Sequence, residues 1–262
     1  MSDFEFISYA RDGRLVIVTI RRPEARNALH LAAHLEMDRA WRQFEDDDDA
    51  WVAILTGEGD KAFCAGSDLK QQDGGSQRPY FMTLKPGGFG GLTERFNMVK
   101  PVIAAVNGFA LGGGCELALA CDIVVAAEHA RFGLPEPRVG FTASDGGIHR
   151  IVRHVPLKVA MGMLLTGNHL SAQEAHRWGL VNEVVTAEDV LTAARRWADN
   201  ILECAPLSVR ATKQAALSGL ALPLADAINR RYDYMLRQAA SEDSREGPRA
   251  FAEKRKPVWR GC

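Results

Sequence analysis

Two short runs rich in β-branched and aromatic residues, 6–9 and 15–20, stand on either side of Arg11-Asp12-Gly13. Asp-Gly between such runs predicts a hairpin. Arg22-Pro23 closes the second strand, because proline has no N–H to give the ladder. From 29 to 44 the apolar positions Leu31, Leu35, Ala40, Trp41 and Phe44 fall roughly at helical spacing, and the acidic run from Asp46 to Asp49 ends that helix. Residues 51–55 read as a buried strand and 56–60 as a loop. Further strands are predicted over 102–106 and 123–126, with a glycine-rich turn and a helix over 116–121 between them. After Pro156 the pattern turns helical, over 157–166, 171–179, 187–205 and 206–220, with one last helix over 224–240. The stretch 71–91 has two prolines, several glycines and no period, which suits a lid or binding loop. An α/β first part packed on a helical tail is the fold class this order predicts.

Composition narrows the function classes. With 47% hydrophobic and 25% charged residues, the 262-residue chain can build a core without disulfide or metal staples. A formal net charge of -1 gives no basic bias, so a nucleic-acid partner held by phosphate contacts is not expected. The cysteines Cys64, Cys115, Cys121, Cys204 and Cys262 are odd in number and show no metal-ligand spacing, so neither a zinc site nor a disulfide framework is expected. The first residues carry neither a basic region nor an apolar one, and the longest apolar stretch, 102–127, is broken by Asn107, Glu116 and Asp122. Neither a secretory signal nor a membrane span follows, and a cytoplasmic protein acting on small molecules is expected.

The candidate chemistry gathers in three places. Residues 101–116 run from a buried strand through Gly112-Gly113-Gly114 into a helix. Free N–H groups at such a helix start favour negative charge, so the turn could cradle a phosphate or donate to a developing oxyanion. Neither a GK[ST] sequence nor a dinucleotide fingerprint supports the phosphate reading, and a purely structural tight turn stays open. A second turn of the same kind, Lys61 to Leu69 through Gly66 and Ser67, opens another short helix. Two N–H groups from two loops are what a thioester oxygen needs as it takes on enolate charge. The third element is a pair of carboxylates. Glu116 directly follows the glycines, and Glu136 sits between Pro135 and Pro137 in a stiff loop. Two such groups could share one water as acid and base. On the residues alone, a helix-dipole partner for Glu116 and a surface position for Glu136 are equal alternatives.

These motifs resemble the crotonase (enoyl-CoA hydratase/isomerase) superfamily. The resemblance rests on Arg22-Pro23-Glu-Ala-Arg-Asn27-Ala28-Leu29, Ala62 to Leu69, Asn107-Gly108 through Gly114-Cys-Glu116, Cys121-Asp122, Phe132 to Glu136, and the tail Gly247 to Pro257. It implies a spiral of ββα units in 1–200 and a C-terminal helical trimerisation region in 201–262, assembled as a homotrimer or a dimer of trimers. The implied activity is reversible addition of water across the 2,3 double bond of an acyl-CoA thioester, with no cofactor beyond the coenzyme A of the substrate. By resemblance, Glu116 and Glu136 are the catalytic acids, and the N–H groups of Ser67 and Gly113 form the oxyanion hole. Ala25, Arg26, Ala65, Asp68, Leu69 and Lys70 would hold the coenzyme A moiety, with Phe251 and Lys254 near its adenine end, often on a neighbouring subunit.

Two departures bear on the acyl group. Ser67 stands where alanine is usual, which leaves the N–H in place. Beyond Glu136 the chain reads Ala143-Ser144-Asp145-Gly146-Gly147 instead of the common Pro-Gly-Ala-Gly-Gly. The change resembles relatives acting on unusual acyl groups, such as carnitinyl-CoA dehydratases, and an acid nearby also occurs in dienoyl-CoA isomerases. Asp145 itself is read as a helix N-cap in preference to a catalytic acid. An enoyl- or dienoyl-CoA isomerase, a carnitinyl-CoA dehydratase-like enzyme, and a non-catalytic or RNA-binding relative are the alternatives.

Overall fold

The structure is a computed structural model that describes residues 4–71 and 86–262. The hairpin forms where Asp12-Gly13 predicts it: β1 (Ile7–Asp12) pairs antiparallel with β2 (Leu15–Ile20), with Asp12 opposite Leu15. The helix α1 (Leu31–Asp46) is capped by His30, whose Nδ1 accepts the Ala33 N–H at 3.2 Å. It buries Trp41 and Phe44, and it ends at the first aspartate of the acidic run. The chain then alternates between two sheets. β3 (Val52–Gly57) is followed by β4 (Ala62–Cys64), and β5 (Val102–Val106) by β6 (Phe109–Leu111) and α2 (Gly113–Ala120). β7 (Ile123–Ala127) is followed in turn by β8 (Arg131–Gly133). The first strand of each pair joins the larger sheet, of order β1-β2-β3-β5-β7 with a last strand β10 (Glu183–Val185). The second joins a smaller sheet, β4-β6-β8 with β9 (His169–Ser171) at its edge.

Apart from β1–β2 and β8–β9, the pairings are parallel. Both faces of the central strands are covered, so β3 and β5 read as continuous apolar runs, VAILTG and VIAAV. The repeated step from one sheet to the other is the spiral of ββα units that the resemblance implies. Helices α3 (Gly147–His154), α4 (Leu157–Thr166), α5 (Ala172–Arg177) and α6 (Val190–Leu202) follow, and α6 lies against β3, β5 and β7. The tail is α7 (Pro206–Gly219), α8 (Leu224–Asn229), α9 (Asp233–Ala240) and α10 (Asp243–Ala252). Lys213 of α7 fastens it to the sheet through the Lys100 carbonyl at 3.0 Å and the Asp122 carboxylate at 2.6 Å. Among the described residues no helix is long and apolar enough to cross a membrane.

Several expectations need correction. The single helix over 224–240 is two, α8 and α9. Arg230 turns extended, with φ -70° and ψ 138°, and Tyr232 folds inward, where its hydroxyl donates to the Ala227 carbonyl at 3.1 Å. Helix α2 starts at Gly113, three residues earlier than the pattern suggests. It runs through the core with almost every residue buried, so it has no polar face to mark its start. Asp145 does not cap α3: the cap position belongs to Gly146, and no side chain caps that helix.

Candidate active site

The two glycine turns meet at the N-terminus of α2. Gly66 has φ +91°, and a β-carbon there would stand 2.9 Å from the Leu111 carbonyl oxygen and 3.3 Å from the Gly113 nitrogen. The Ser67 turn is held by a bridge to Leu29, in which the Leu29 N–H donates to Gly66 O at 2.8 Å and the Asp68 N–H to Leu29 O at 2.9 Å. The Ser67 N–H takes no part in that bridge. Gly113 opens α2, so its N–H has no acceptor within the helix. The ring of Phe89 lies so close to Gly113 that a β-carbon there would overlap it. Phe89 is fixed in turn by α1: the Gly90 N–H donates to His34 Nδ1 at 2.9 Å, and Trp41 Nε1 donates to Gly90 O at 3.0 Å.

Glu116 lies in the first turn of α2 and is 2% exposed. Its Oε1 accepts the Gly147 N–H at 2.8 Å. Burial, and then the negative charge of Asp145, pushes this carboxyl from 4.5 up to about 8, against the opposing pull of the Gly147 amide. Glu136 starts a single 3-10 turn, Glu136–Val139, behind Pro135. Burial also raises its proton affinity, with Asp145 adding to the effect. A β-carbon on Gly112, where φ is +55°, would be 3.2 Å from Glu136 Oε1, so the carboxyl lies over the glycines that open α2. Glu136 Oε2 is buried with no hydrogen-bond partner among the described residues. The loop is latched by Arg138, which donates from Nε to Thr166 O at 2.8 Å and from Nη2 to Asn168 Oδ1 at 2.7 Å.

These groups line one cavity of about 110 Å³. Ala65, Ser67, Leu69, Gly113, Glu116 and Glu136 all face it, as do Phe89, Phe141, Thr142, Ser144 and Asp145. The other residues singled out in the sequence do not line it. Asp68 turns its carboxylate to Arg22 Nη2 at 2.9 Å, an ion pair nearly closed to solvent that fastens the turn instead of facing a ligand. Ala25 and Arg26 sit on the neighbouring turn, where Arg26 has φ +52° and its carbonyl accepts the Ala65 N–H at 3.1 Å. Lys70 is exposed, and Phe251 and Lys254 lie at the end of α10, with Phe251 86% exposed. Phe89 and Phe141 also face the cavity, and neither stands out in the sequence. Phe89 lies in an aperiodic stretch rich in glycine, and only the missing side chain of Gly113 hints at a ring packed there. Most of the lid segment, 72–85, lies outside the described residues.

A family model described as enoyl-CoA hydratase/isomerase matches residues 11–262. A Salmonella typhi protein named carnitinyl-CoA dehydratase is 42% identical over 264 residues, covering 98% of this chain and 99% of its own. Among solved structures, an enoyl-CoA hydratase from Mycobacterium tuberculosis H37Rv superposes with a TM-score of 0.91 at 38% identity, covering 98% of this chain and 99% of that one. An enoyl-CoA hydratase from Bacillus anthracis gives 0.91 at 34% identity, over 98% of this chain and 100% of that one.

Proposed function

The chain belongs to the enoyl-CoA hydratase/isomerase family of the crotonase superfamily, and from that premise we propose that it adds water reversibly across the C2–C3 double bond of an acyl-CoA thioester. The observation that carries this reading is the pair Glu116 and Glu136 on one cavity, beside the N–H groups of Ser67 and Gly113. The thioester oxygen accepts from those two N–H groups and takes on enolate charge as water attacks C3. One carboxylate takes the proton from the attacking water while the other carboxylic acid protonates C2. Water loss runs the same steps backwards. A carboxyl that keeps its proton at neutral pH suits the donor role, and burial gives Glu116 that property. The two act as a coupled pair, so no strict division of labour is assigned.

A second reading, removal of water from a carnitinyl-CoA, is supported by the relatives at 42% identity and by Asp145. A third carboxylate on the cavity matches an acyl chain that carries a positive charge. We also infer that the chain assembles as a homotrimer or a dimer of trimers through residues 201–262. The exposed apolar side chains Leu217, Leu220, Leu224 and Ile228 on the tail support this, and Phe251 and Lys254 would then serve a neighbour's site.

The test is turnover in oxygen-18 water with crotonyl-CoA and, separately, carnitinyl-CoA. Loss of enoyl absorbance with one heavy oxygen in the product is the expected result for hydration. Turnover of carnitinyl-CoA alone would select the second reading. Migration of the double bond without oxygen uptake would identify an isomerase. Inertness toward both would move the same test to branched, aromatic and diene thioesters, and inertness toward all of them would overturn the proposal. Arg138→Ala, which releases the latch on the Glu136 loop, is expected to lower kcat about tenfold with KM and Tm little changed, measured by steady-state kinetics and thermal melting.

A further inference from the structure

The bridge between Leu29 and Ser67 decides where the Ser67 N–H points. Leu29 bonds Gly66 through its N–H and Asp68 through its carbonyl, the residues on either side of Ser67. In a parallel bridge of this kind the central residue turns its own N–H away from the partner segment. Any slip between the segments 28–29 and 66–68 therefore re-aims the Ser67 N–H.

One guanidinium grips both segments. Arg22 is 7% exposed, and it donates from Nη1 to the Ala28 carbonyl and from Nη2 to Asp68 Oδ2 at 2.9 Å. Ala28 precedes Leu29 and Asp68 follows Ser67, so the fork spans the bridge from one segment to the other. Arg22 is in turn held by its backbone. Its N–H donates to Asn27 Oδ1 at 3.0 Å, and its carbonyl accepts the Asn27 N–H at 2.8 Å. Asn27 is fully buried and also donates from Nδ2 to Ala62 O at 2.7 Å, where β4 begins on its way to the Ser67 turn. The other carboxylate near the guanidinium, Glu24, is exposed and stands 3.9 Å from Nε, too far to compete with Asp68.

A buried ion pair contributes little net stability, because desolvation offsets most of its attraction. Its use here is geometric. A planar fork fixes two acceptors at once, which an ammonium on a flexible stem does not do.

We propose that Arg22 is a positioning residue of the oxyanion hole, holding the Ser67 N–H on the thioester oxygen by clamping Ala28 and Asp68 together across the Leu29–Ser67 bridge. The inference rests on the acyl-CoA reading of the site. It gives Asp68 a task other than holding coenzyme A.

The probe is 4-(dimethylamino)cinnamoyl-CoA, whose absorption band moves to longer wavelength as hydrogen bonds draw electron density onto its thioester oxygen. The parent chain is expected to shift the band of the bound probe. At saturation, Arg22→Lys and Asp68→Asn should each lose about half of that shift or more. For hydration, kcat should fall about 30-fold in Arg22→Lys and about tenfold in Asp68→Asn, with KM within about threefold of the parent. A pair that served stability alone would lower Tm and leave both the band and the kcat of the folded chain unchanged. Asp68→Asn keeps the shape and an acceptor for Arg22, so it decides the matter should Arg22→Lys fail to fold. The parent band shift and parent kcat in the folded variants would overturn the inference. So would a rise in KM at unchanged kcat in Asp68→Asn, which would return that residue to the coenzyme A side. Were the parent chain itself to bind the probe without moving its band, the acyl-CoA reading of the hole would fall and this inference with it.

Discussion

Replacing Glu116 or Glu136 with glutamine is expected to lower kcat for hydration by about three orders of magnitude and to leave KM within about threefold. Glutamine keeps the shape of either side chain and can neither give nor take the proton. The thioester would still meet the Ser67 and Gly113 amides, so binding survives while the chemical step fails. Near-normal hydration by both single variants would sink the mechanism. The Glu116 variant has a second signature that a merely structural role would not produce in activity. The folded chain holds the Glu116 proton up to about pH 8, whereas an unstructured chain releases it near the ordinary 4.5. Its stabilising contribution is therefore complete below pH 4.5 and is lost as pH rises toward 8. Parent and Glu116→Gln should melt alike in acid, and the variant should become the more stable by about 3 kcal/mol above pH 8. Parent kcat should fall over the same upper limb as that proton leaves. Denaturant titrations and pH–rate profiles check the two halves.

Gly114→Ala is expected to destabilise the chain by at least about 4 kcal/mol, or to prevent folding. A β-carbon on Gly114 would overlap the Cys64 carbonyl oxygen and stand 2.7 Å from the Cys64 carbonyl carbon. Both atoms are backbone, and Cys64 lies in β4, paired with Ala110 of β6, so nothing can rotate away. Alanine is the better helix former by about 1 kcal/mol, and that preference is overwhelmed here. Gly162 on α4 is the control, since a β-carbon there meets nothing within 4 Å. Gly162→Ala should gain about 0.5–1 kcal/mol in the same urea titration.

The contrast between these glycines explains which parts of the molecule the sequence discloses. β5 and α4 match their expected limits because each is a continuous run with a clear stop, Asn107 in one case and Gly167 in the other. The smaller sheet is not legible in the sequence. Its strands Ala62–Cys64, Phe109–Leu111, Arg131–Gly133 and His169–Ser171 have three residues each, too few to show alternation, and they form because the larger sheet brings them together. Helix α10 is not legible either, because Gly247-Pro248 reads as a turn and yet lies inside it. At the candidate site, Glu116, Glu136, Ser67 and Gly113 stand out by motif and share one cavity. The walls do not stand out. Phe89 and Phe141 reach the cavity from separate loops, and Asp145 faces it because Gly146 takes the cap position.

The larger sheet runs β1-β2-β3-β5-β7-β10, which is also the order in which its strands leave the ribosome. The hairpin can close first, and each later strand then adds to the edge formed by the one before it, without threading between strands already paired. Growth of this kind suits vectorial synthesis. It also leaves the newest strand as an open edge throughout, able to pair with a neighbouring nascent chain. The edge passes to the three-residue β10 when it docks on β7, and α6 then covers the face, by which point more than two-thirds of the chain has been made. Crowding on a polysome is therefore the stage at which this fold is most vulnerable to misassembly.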